Sequence, residues 1–520
     1  MFVTAKHRSR PIEALVERTE ARRRRLASDL DAKEDRSERG QFFTPAPVAE
    51  FLASLLELPT NGTFRLLDPG AGIGSLTAAV VARVLREQPR LALEVVAFEV
   101  DPKLEPHLRQ TLADCERVAG ELGSRVQTQL RLADFVEWAS TAISGSLFAE
   151  PTSFMACVMN PPYRKVNHGG ADRRALEHAG VTVTNLYAAF LALASRLLDP
   201  DGQLSAITPR SFANGVYFKP FRQFFLSEMS FDRLHVFEDR DRVFADSRVL
   251  QENVVFRATR RHPRPTVTLS SSAGIDTDLS MRRVQYADVV HERDPNLFVR
   301  IPVDDDATSV AEYIATLPAL LSDLDVEVST GRVVDFRAQE HLRMQPEPGT
   351  APLIYPAHLR GGAVAWPQPD SKKPNALAVN DQTQPLLLPR GTYVLVRRFT
   401  AKEERRRVVA TVVTSDDLPG RQVAFENHLN VYHRGGRGLP LGLARGLAIF
   451  LNSAVVDRFV RQFSGHTQIN ATDLRQLRHP SIEELERAGR AGSGSSGEDS
   501  PFDEVIGRSG SVLAAAPGSV

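Results

Sequence analysis

Residues 160–163 read Asn160-Pro161-Pro162-Tyr163, and the run before them, Phe154 to Met159, is mostly apolar. Proline has no N–H to give a sheet ladder, so the backbone must leave the sheet where such a strand ends. The Asn160 carboxamide oxygen and the Pro161 carbonyl are then two acceptors at a strand end, and Tyr163 offers a flat face beside them. Two fixed acceptors next to an aromatic plate can grip an –NH2 group on a planar system such as adenine.

A second constellation lies upstream. Asp68-Pro69-Gly70-Ala71-Gly72-Ile73-Gly74 follows a short apolar run and opens a periodic segment. Glycines such as Gly70 and Gly72 let backbone pass close to a ligand, with a helix N-terminus behind. Dinucleotide-binding folds use similar turns, so the turn alone says little. Asp68 ends the strand, where a carboxylate would repel a pyrophosphate but could hold an ammonium. Glu99 ends the next strand, about 30 residues on, where an acid suits a ribose diol. Ammonium plus ribose diol describes S-adenosylmethionine better than NAD. Asp134 ends a third strand and could accept from the adenine amine of that cofactor, with Phe135 covering the ring. Each acid taken alone also fits an ordinary strand-end turn.

These residues need a frame that brings several strand ends to one place. From Gln41 to Arg257 the chain alternates short apolar runs with longer periodic segments. The pattern predicts strands over Phe64–Leu67, Glu94–Phe98, Gln127–Leu132, Phe154–Met159, Gln203–Ile207, Arg233–Phe237 and Asn253–Arg257. It predicts helices over Ser75–Glu87, Pro102–Leu122, Leu186–Leu198 and Phe218–Met229. Such alternation builds a parallel sheet with helices on both faces. The last two strands lie close together and suit a hairpin-like edge.

A chain of 520 residues is too long for one ordinary core, so two or three domains are expected. Residues 1–39 read as a charged N-terminal helical segment, either a solvated helix or a contact to a DNA backbone. Residues 40–260 form the first domain. A Ser/Thr/Arg/Pro-rich stretch near 260–280 reads as the boundary, and 283–480 as a second domain of mixed strand and helix. Residues 488–520 are Gly, Ser and Ala rich and read as a disordered tail. Basic and acidic residues balance at 64 each, so any polyanion site must be a local patch. Two cysteines, Cys115 and Cys157, exclude a disulfide framework and a cysteine-rich zinc site, and no metal is expected. The charged N-terminus and the lack of any apolar run near 18 residues give no signal peptide and no membrane span.

Local patches do occur in the second domain. Tyr393 to Arg407 runs a strand into a basic cluster containing Arg397, Arg398, Lys402, Arg405, Arg406 and Arg407. Such residues can fix register on a duplex through phosphates, or they can be a solvated strand end with glutamate partners. His466, Gln468 and Asn470 have polar side chains suited to base edges or phosphates, and equally to a structural turn.

With the glycine turn, Glu99, Asp134 and Asn-Pro-Pro-Tyr in this order, the chain resembles the class I methyltransferases. More narrowly it resembles the gamma-class adenine-N6 DNA methyltransferases of restriction–modification systems, of the Taq and Xho type. Gly40-Gln41-Phe42-Phe43-Thr44-Pro45, Asn185–Phe190, Ile207–Phe212 and Ser464–Leu474 resemble further family segments. The resemblance covers most of residues 40–480. It implies an α/β class I fold that is Rossmann-like, with a mostly parallel seven-stranded sheet, followed by a mixed α/β target-recognition domain. It implies that Thr44 and Pro45 meet the methionine carboxylate of S-adenosylmethionine, that Asp68 and Gly70 line its methionine moiety, and that Phe218 is a second aromatic on the target ring. The implied partner is double-stranded DNA, bound by a monomer in a prokaryotic cytoplasm at the nucleoid. A cognate restriction endonuclease is a further implied partner, and a membrane is not.

The residues also fit the chemistry. An adenine amine is a poor nucleophile because its lone pair is delocalised, and acceptors aimed at its hydrogens localise that pair. A cytosine-carbon mechanism would need an accessible cysteine, yet Cys157 lies in an apolar strand and Cys115 in a helix. In a duplex the base must first be swung out. Three rivals stay open: a glutamine side-chain methyltransferase, which also uses Asn-Pro-Pro-Tyr; a non-catalytic DNA specificity subunit; and a fused nuclease built on Asp335 and Pro369-Asp370-Ser371-Lys372.

Overall fold

All seven expected strands form, and two more extend the sheet they build. They are β1 (Thr63–Pro69), β2 (Ala92–Glu99), β3 (Val126–Leu132), β4 (Phe154–Met159), β5 (Leu198–Pro209), β6 (Ser230–Phe237), β7 (Asn253–Thr259), β8 (Thr266–Ser272) and β9 (Ser280–Gln285). The order across the sheet is β3-β2-β1-β4-β5-β7-β6-β8-β9. β1 to β5 run parallel. β7 runs antiparallel between β5 and β6, β8 is parallel to β6, and β9 is antiparallel to β8. The computed structural model describes residues 5–29, 43–144, 153–167, 169–237, 252–261, 263, 265–274, 277–302, 304–400, 404–464, 468–491 and 500–503.

Both faces of this sheet are covered. Leu66, Leu93, Val95, Ala156 and Val158 pack on one side, and Leu67, Phe98, Cys157 and Met159 on the other. That is the alternation a strand imposes, since successive side chains point to opposite faces. The covering helices are α1 (Ala5–Asp29), α2 (Ala46–Leu55), α3 (Ser75–Glu87), α4 (Glu105–Glu121), α5 (Phe135–Ile143), α6 (Ala171–His178), α7 (Leu186–Leu197), α8 (Lys219–Glu228) and the one-turn α9 (Tyr286–Val289). Strand order turns around between β1 and β4. In an open α/β sheet that is where a crevice opens outside the carboxyl ends of the strands.

Two expectations are corrected here. The boundary near 260–280 is instead β8 and its approach, and the first compact unit reaches Val303. The serines that made the segment read as a linker are buried: Ser270 and Ser272 flank the His235 ring at 3.0 and 3.3 Å. Over its described residues, 5–29, the N-terminal segment is not a solvated helix; residues 1–4 and 30–39 lie outside the described residues. Ile12 and Leu15 of α1 are in the core beneath α2 and α3. Arg22 pairs with Asp114 at 3.1 Å, and Arg23 is buried against Glu20. Arg22 therefore ties α1 to α4, while Arg24 and Arg25 stay exposed.

The second compact unit, Asp304–Val520, begins with α10 (Asp305–Thr316) and a short α11 (Asp335–Ala338). Its strands are β10 (Glu327–Thr330), β11 (Leu342–Arg343), β12 (Thr350–Ile354), β13 (Leu359–Arg360), β14 (Ala363–Val364), β15 (Ala376–Ala378), β16 (Leu387–Pro389), β17 (Tyr393–Arg397), β18 (Ala410–Val413), β19 (Gln422–Phe425) and β20 (Leu429–His433). They make a four-stranded sheet in the order β10-β20-β17-β18, a five-stranded sheet β11-β15-β12-β19-β16, and the β13-β14 pair. After them come α12 (Leu441–Leu451), α13 (Ala454–Arg461), α14 (Ala471–Leu474) and α15 (Ile482–Ala491). A Cβ on Gly446 of α12 would collide with the Leu485 carbonyl of α15, so glycine is required for this close helix pair. The helix continues through Ala491, past the expected start of the tail at 488; residues 492–499 and 504–520 lie outside the described residues. Among the described residues no helix is long and apolar enough to cross a membrane.

Candidate active site

The carboxyl ends of β1 to β4 surround one cavity of about 410 Å³. The β1 end supplies the glycine turn, in which Gly70, Gly72 and Gly74 have φ of 71°, 59° and 86°. These left-handed values favour glycine. The turn is tied to the next strand, because Ala71 N–H donates to Phe98 O at 2.7 Å and Gly72 N–H donates to Glu99 Oε2 at 2.8 Å. Glu99 Oε1 accepts from the N–H groups of Val100 and Asp101 at 2.9 and 2.8 Å. Burial pushes the Glu99 carboxyl above the usual range, and the three N–H groups only partly offset it. The acid is thus fixed at the cavity wall by backbone alone.

Asp134 caps α5, with Oδ1 accepting from Val136 N and Glu137 N at 2.7 and 3.1 Å. An N-cap acid is what a helix start prefers, and the cap leaves its other oxygen outside the helix turn. Behind it Phe135 stacks its edge on Phe98 at 5.5 Å and tilts against Phe190 at 5.0 Å. Phe43, Phe98, Phe135 and Phe190 give the cavity an apolar wall. A Cβ at Gly70 would stand 3.3 Å from the Phe190 ring, so the turn and the ring close on each other as a cradle.

Asn160 stands at the end of β4, held from both ends. Its Nδ2 donates to Thr44 Oγ1 at 3.0 Å, and Tyr163 Oη donates to its Oδ1 at 2.9 Å. The Tyr163 hydroxyl is also 3.4 Å from Ile207 O, and burial pushes its phenol well above the ordinary range. The carboxamide is therefore oriented before any ligand arrives.

Of the residues singled out from sequence, Gly70, Gly72, Glu99, Asp134, Phe135, Asn160 and Pro162 line this cavity together. Others do not. Asp68 is fully buried behind the turn, where Thr77 Oγ1 donates to its Oδ2 at 2.6 Å and Oδ1 has no partner among the described residues. Burial pushes its pKa up to about 7. Expected to line the methionine moiety, it instead sits beneath the start of α3. Phe218, expected as the second stacking aromatic, is 7% exposed and stacks on Tyr187 at 5.4 Å, so it is core. Its neighbour Tyr217 is 79% exposed. Thr44 bonds to Asn160, Pro45 is the N-cap residue of α2, and neither lines the cavity; Phe43 does. Gly40, Gln41 and Phe42 lie outside the described residues. Both cysteines are buried and free, and burial pushes Cys115 up to about 12 and Cys157 upward. Neither thiol is a nucleophile in this fold.

Sequence reasoning missed Phe98, Asp101, Arg164, Leu186 and Phe190. The signals were adjacency to Glu99 for the first two, adjacency to Tyr163 for Arg164, and a helix-face position one turn from Tyr187 for Phe190.

In the second unit four of the nine expected DNA contacts are engaged by partners within the unit. Arg397 donates to Leu359 O, and Arg398 donates to Asn470 Oδ1 and Asn427 O, both at 3.1 Å. Arg407 is 2% exposed: its Nη2 donates to Ser464 Oγ at 3.2 Å and its backbone N–H to Asp457. Asn470 caps α14 in a reciprocal box with Asp473. Burial corrects Arg407 from a ligand contact to an internal tie, while half-buried Arg397 and Arg398 and the α14 cap Asn470 are held in place by partners within the unit. Gln468 bridges to Phe399 through the backbone. Arg405 is exposed and Arg406 half-buried, while Lys402 and His466 lie outside the described residues. Asp335, raised as a nuclease acid, accepts from the Tyr355 hydroxyl at 2.7 Å and pairs with Lys373 at 3.1 Å.

A sheet with a 3-2-1-4-5-7-6 core, a glycine turn after β1, an acid after β2 and Asn-Pro-Pro-Tyr after β4 defines a class I methyltransferase. The comparisons narrow this further. A family model for the Eco57I restriction-modification methylase matches residues 92–244. The chain is 40% identical over 478 residues to Type II methyltransferase M.PstI of Providencia stuartii, covering 91% of this chain and 93% of that protein. It is 39% identical over 464 residues to Type II methyltransferase M.BsuBI of Bacillus subtilis, covering 88% and 90%. Among solved structures, the Type IIL restriction-modification enzyme MmeI in complex with DNA aligns with a TM-score of 0.48 at 11% identity, covering 82% of this chain and 64% of that one. The chain belongs to the family of Type II methyltransferases from restriction–modification systems.

Proposed function

We propose that the chain is a site-specific DNA methyltransferase that modifies the N6 amine of an adenine extruded from a duplex, with S-adenosylmethionine as donor. It would serve as the modification enzyme of a restriction–modification system. The observation that carries the reading is the pre-oriented Asn160 carboxamide, held between Thr44 and Tyr163 on the same cavity as Glu99 and Asp134.

The cavity fits the cofactor chemically. Its volume of about 410 Å³ falls in the range for small-ligand sites. Glu99 suits a ribose diol, Asp134 and Phe135 an adenine edge and face, and the Gly70–Gly72 turn the chain between them. Bound there, S-adenosylmethionine would supply a methyl group activated by its sulfonium, whose leaving group is a neutral thioether. The chain's own part is positioning. Asn160 Oδ1 and the Pro161 carbonyl accept from the target amine and localise its lone pair. A carboxamide oxygen carries two lone pairs and can accept from a tyrosine hydroxyl and an amine at once. Tyr163 lays its ring beside the base, where stacking recovers on the order of 1–3 kcal/mol of what the duplex lost.

The test is expression in a methylation-free bacterial host, with modified bases mapped at single-base resolution. Methyl groups on adenine N6 at one recurring sequence are expected. Purified protein that labels a polypeptide from labelled donor and leaves every unmodified DNA unlabelled would overturn the reading in favour of glutamine methylation.

A further inference from the structure

Among the described residues lining the cavity, Glu99, Asp101 and Asp134 are acidic and Arg164 alone is cationic. The acids suit a ligand bearing positive charge and hydroxyl donors, and they give Arg164 nothing to do. Its fixed partner is Asp172 on α6, reached by one contact, Nη2 to Oδ2 at 3.3 Å. A committed guanidinium–carboxylate grip is bidentate and closer, near 2.8 Å. One long contact engages one of five N–H donors, and 34% of the side chain is exposed.

The backbone that carries Arg164 is clamped. Leu186 N–H donates to Arg164 O at 2.9 Å, Val166 N–H donates to Thr184 O at 2.9 Å, and Lys165 bridges to Asn185. The chain leaving Asn-Pro-Pro-Tyr is thereby pinned to the start of α7, whose Leu186 also lines the cavity. The side chain starts from a fixed origin, which is what a positioning role requires. The alternative anion seat, the N-terminus of α2, is already filled by the chain's own acid: Glu20 Oε2 accepts from Ala46 N at 3.1 Å.

We propose that Arg164 is the oxyanion-binding residue of this cavity. Its guanidinium receives an anionic oxygen group brought by a substrate, either the carboxylate of the donor or the phosphate flanking the extruded nucleotide. The inference rests on the methyl-transfer reading above. Arg164 is a positioning residue: it fixes one end of a reactant and takes no part in bond making.

Equilibrium binding tests this apart from turnover. Calorimetry compares wild type with Arg164→Gln and Arg164→Lys, first with S-adenosylmethionine against decarboxylated S-adenosylmethionine. It then uses a duplex carrying the mapped site, with the phosphates flanking the target adenine replaced in turn by neutral methylphosphonates. A charge-assisted contact makes the relevant edit about 10- to 100-fold costly in wild type and nearly silent in Arg164→Gln. Coupling in the first cycle identifies the carboxylate as the ligand, and coupling in the second identifies the phosphate. Additivity in both, with each edit as costly in Arg164→Gln as in wild type, overturns the proposal. Wild type that binds neither S-adenosylmethionine nor DNA overturns the methyl-transfer reading instead. Should Arg164→Gln fail to fold, Asp172→Asn frees the guanidinium and is expected to enlarge the edit's penalty. An unchanged penalty in both Asp172→Asn and Arg164→Lys counts against the proposal.

Discussion

The two units treat their chemically suggestive residues in opposite ways. In the first, Gly72, Glu99, Asp134 and Asn160 come from four strand ends and meet on one cavity. In the second, Arg397, Arg398 and Arg407 turn inward and spend their guanidinium groups on Leu359, Asn427, Asn470 and Ser464. The reason is architectural. Parallel strands put all their carboxyl ends on one edge, so motifs that follow strands are gathered there by the sheet itself. The second unit is built from short strands of mixed direction and offers no such common edge. There the fate of an arginine depends on which acceptors distant segments present. The first unit also has its exceptions, Asp68 and Phe218, where burial converted a site residue into scaffold.

That contrast can be broken or sharpened by substitution. The largest effect is expected for Asn160→Ala, which should lower methyl transfer about a thousandfold while calorimetric affinity for S-adenosylmethionine stays unchanged. Near-normal turnover would remove Asn160 from the mechanism and the cavity from the comparison. Phe218→Ala should cost about 3 kcal/mol in denaturant unfolding, as an emptied core position does. Weaker DNA binding with intact stability would return it to the site. Arg407→Ala should cost about 2 kcal/mol, from buried donors and acceptors left unpaired, with the salt dependence of DNA binding unaltered. If instead the slope drops by about one and stability holds, Arg407 is a phosphate contact and the contrast between units fails.

The smallest effect concerns Asp68. Burial lifts its folded pKa to about 7, above an unfolded value near 3.9. The folded state keeps a proton that the unfolded state sheds, so stability is fullest below about pH 4 and declines as pH rises toward about 7. Asp68→Asn should flatten that decline and leave the variant relatively more stable at the alkaline end of a series of unfolding curves. A pH slope identical to wild type would show that the carboxyl is not buried as described.

Legibility differed by kind of signal. Helix α3 was legible to the residue because its apolar period and the glycine turn before it agree. β8 was not: its serines look like linker, and only the buried His235 between them reveals a strand. The glycine turn, Glu99 and Asp134 were legible because a strand end, a short polar motif and a helix start are local events. Phe190 was not, because a phenylalanine on an apolar helix face reads as core whether it touches a cavity or another side chain. Arg164 was passed over because one cation beside a strong motif has no period and no partner in sequence.

Sequence by itself determined the alternation of strands and helices, the order of the strand-end motifs and the chemical types those motifs carry. Each depends on residues within a few positions of one another. Tertiary structure alone decided which of them face a common space. It placed Asn160 between Thr44 and Tyr163, sank Asp68 beneath α3, turned Arg407 toward Ser464 and left Arg164 at the cavity with one loose partner. Some of these partners are near in sequence, such as Thr77 for Asp68 and Asp172 for Arg164, and others, such as Thr44 for Asn160, are not; in every case exposure and side-chain direction are set by the packing that only folding assembles.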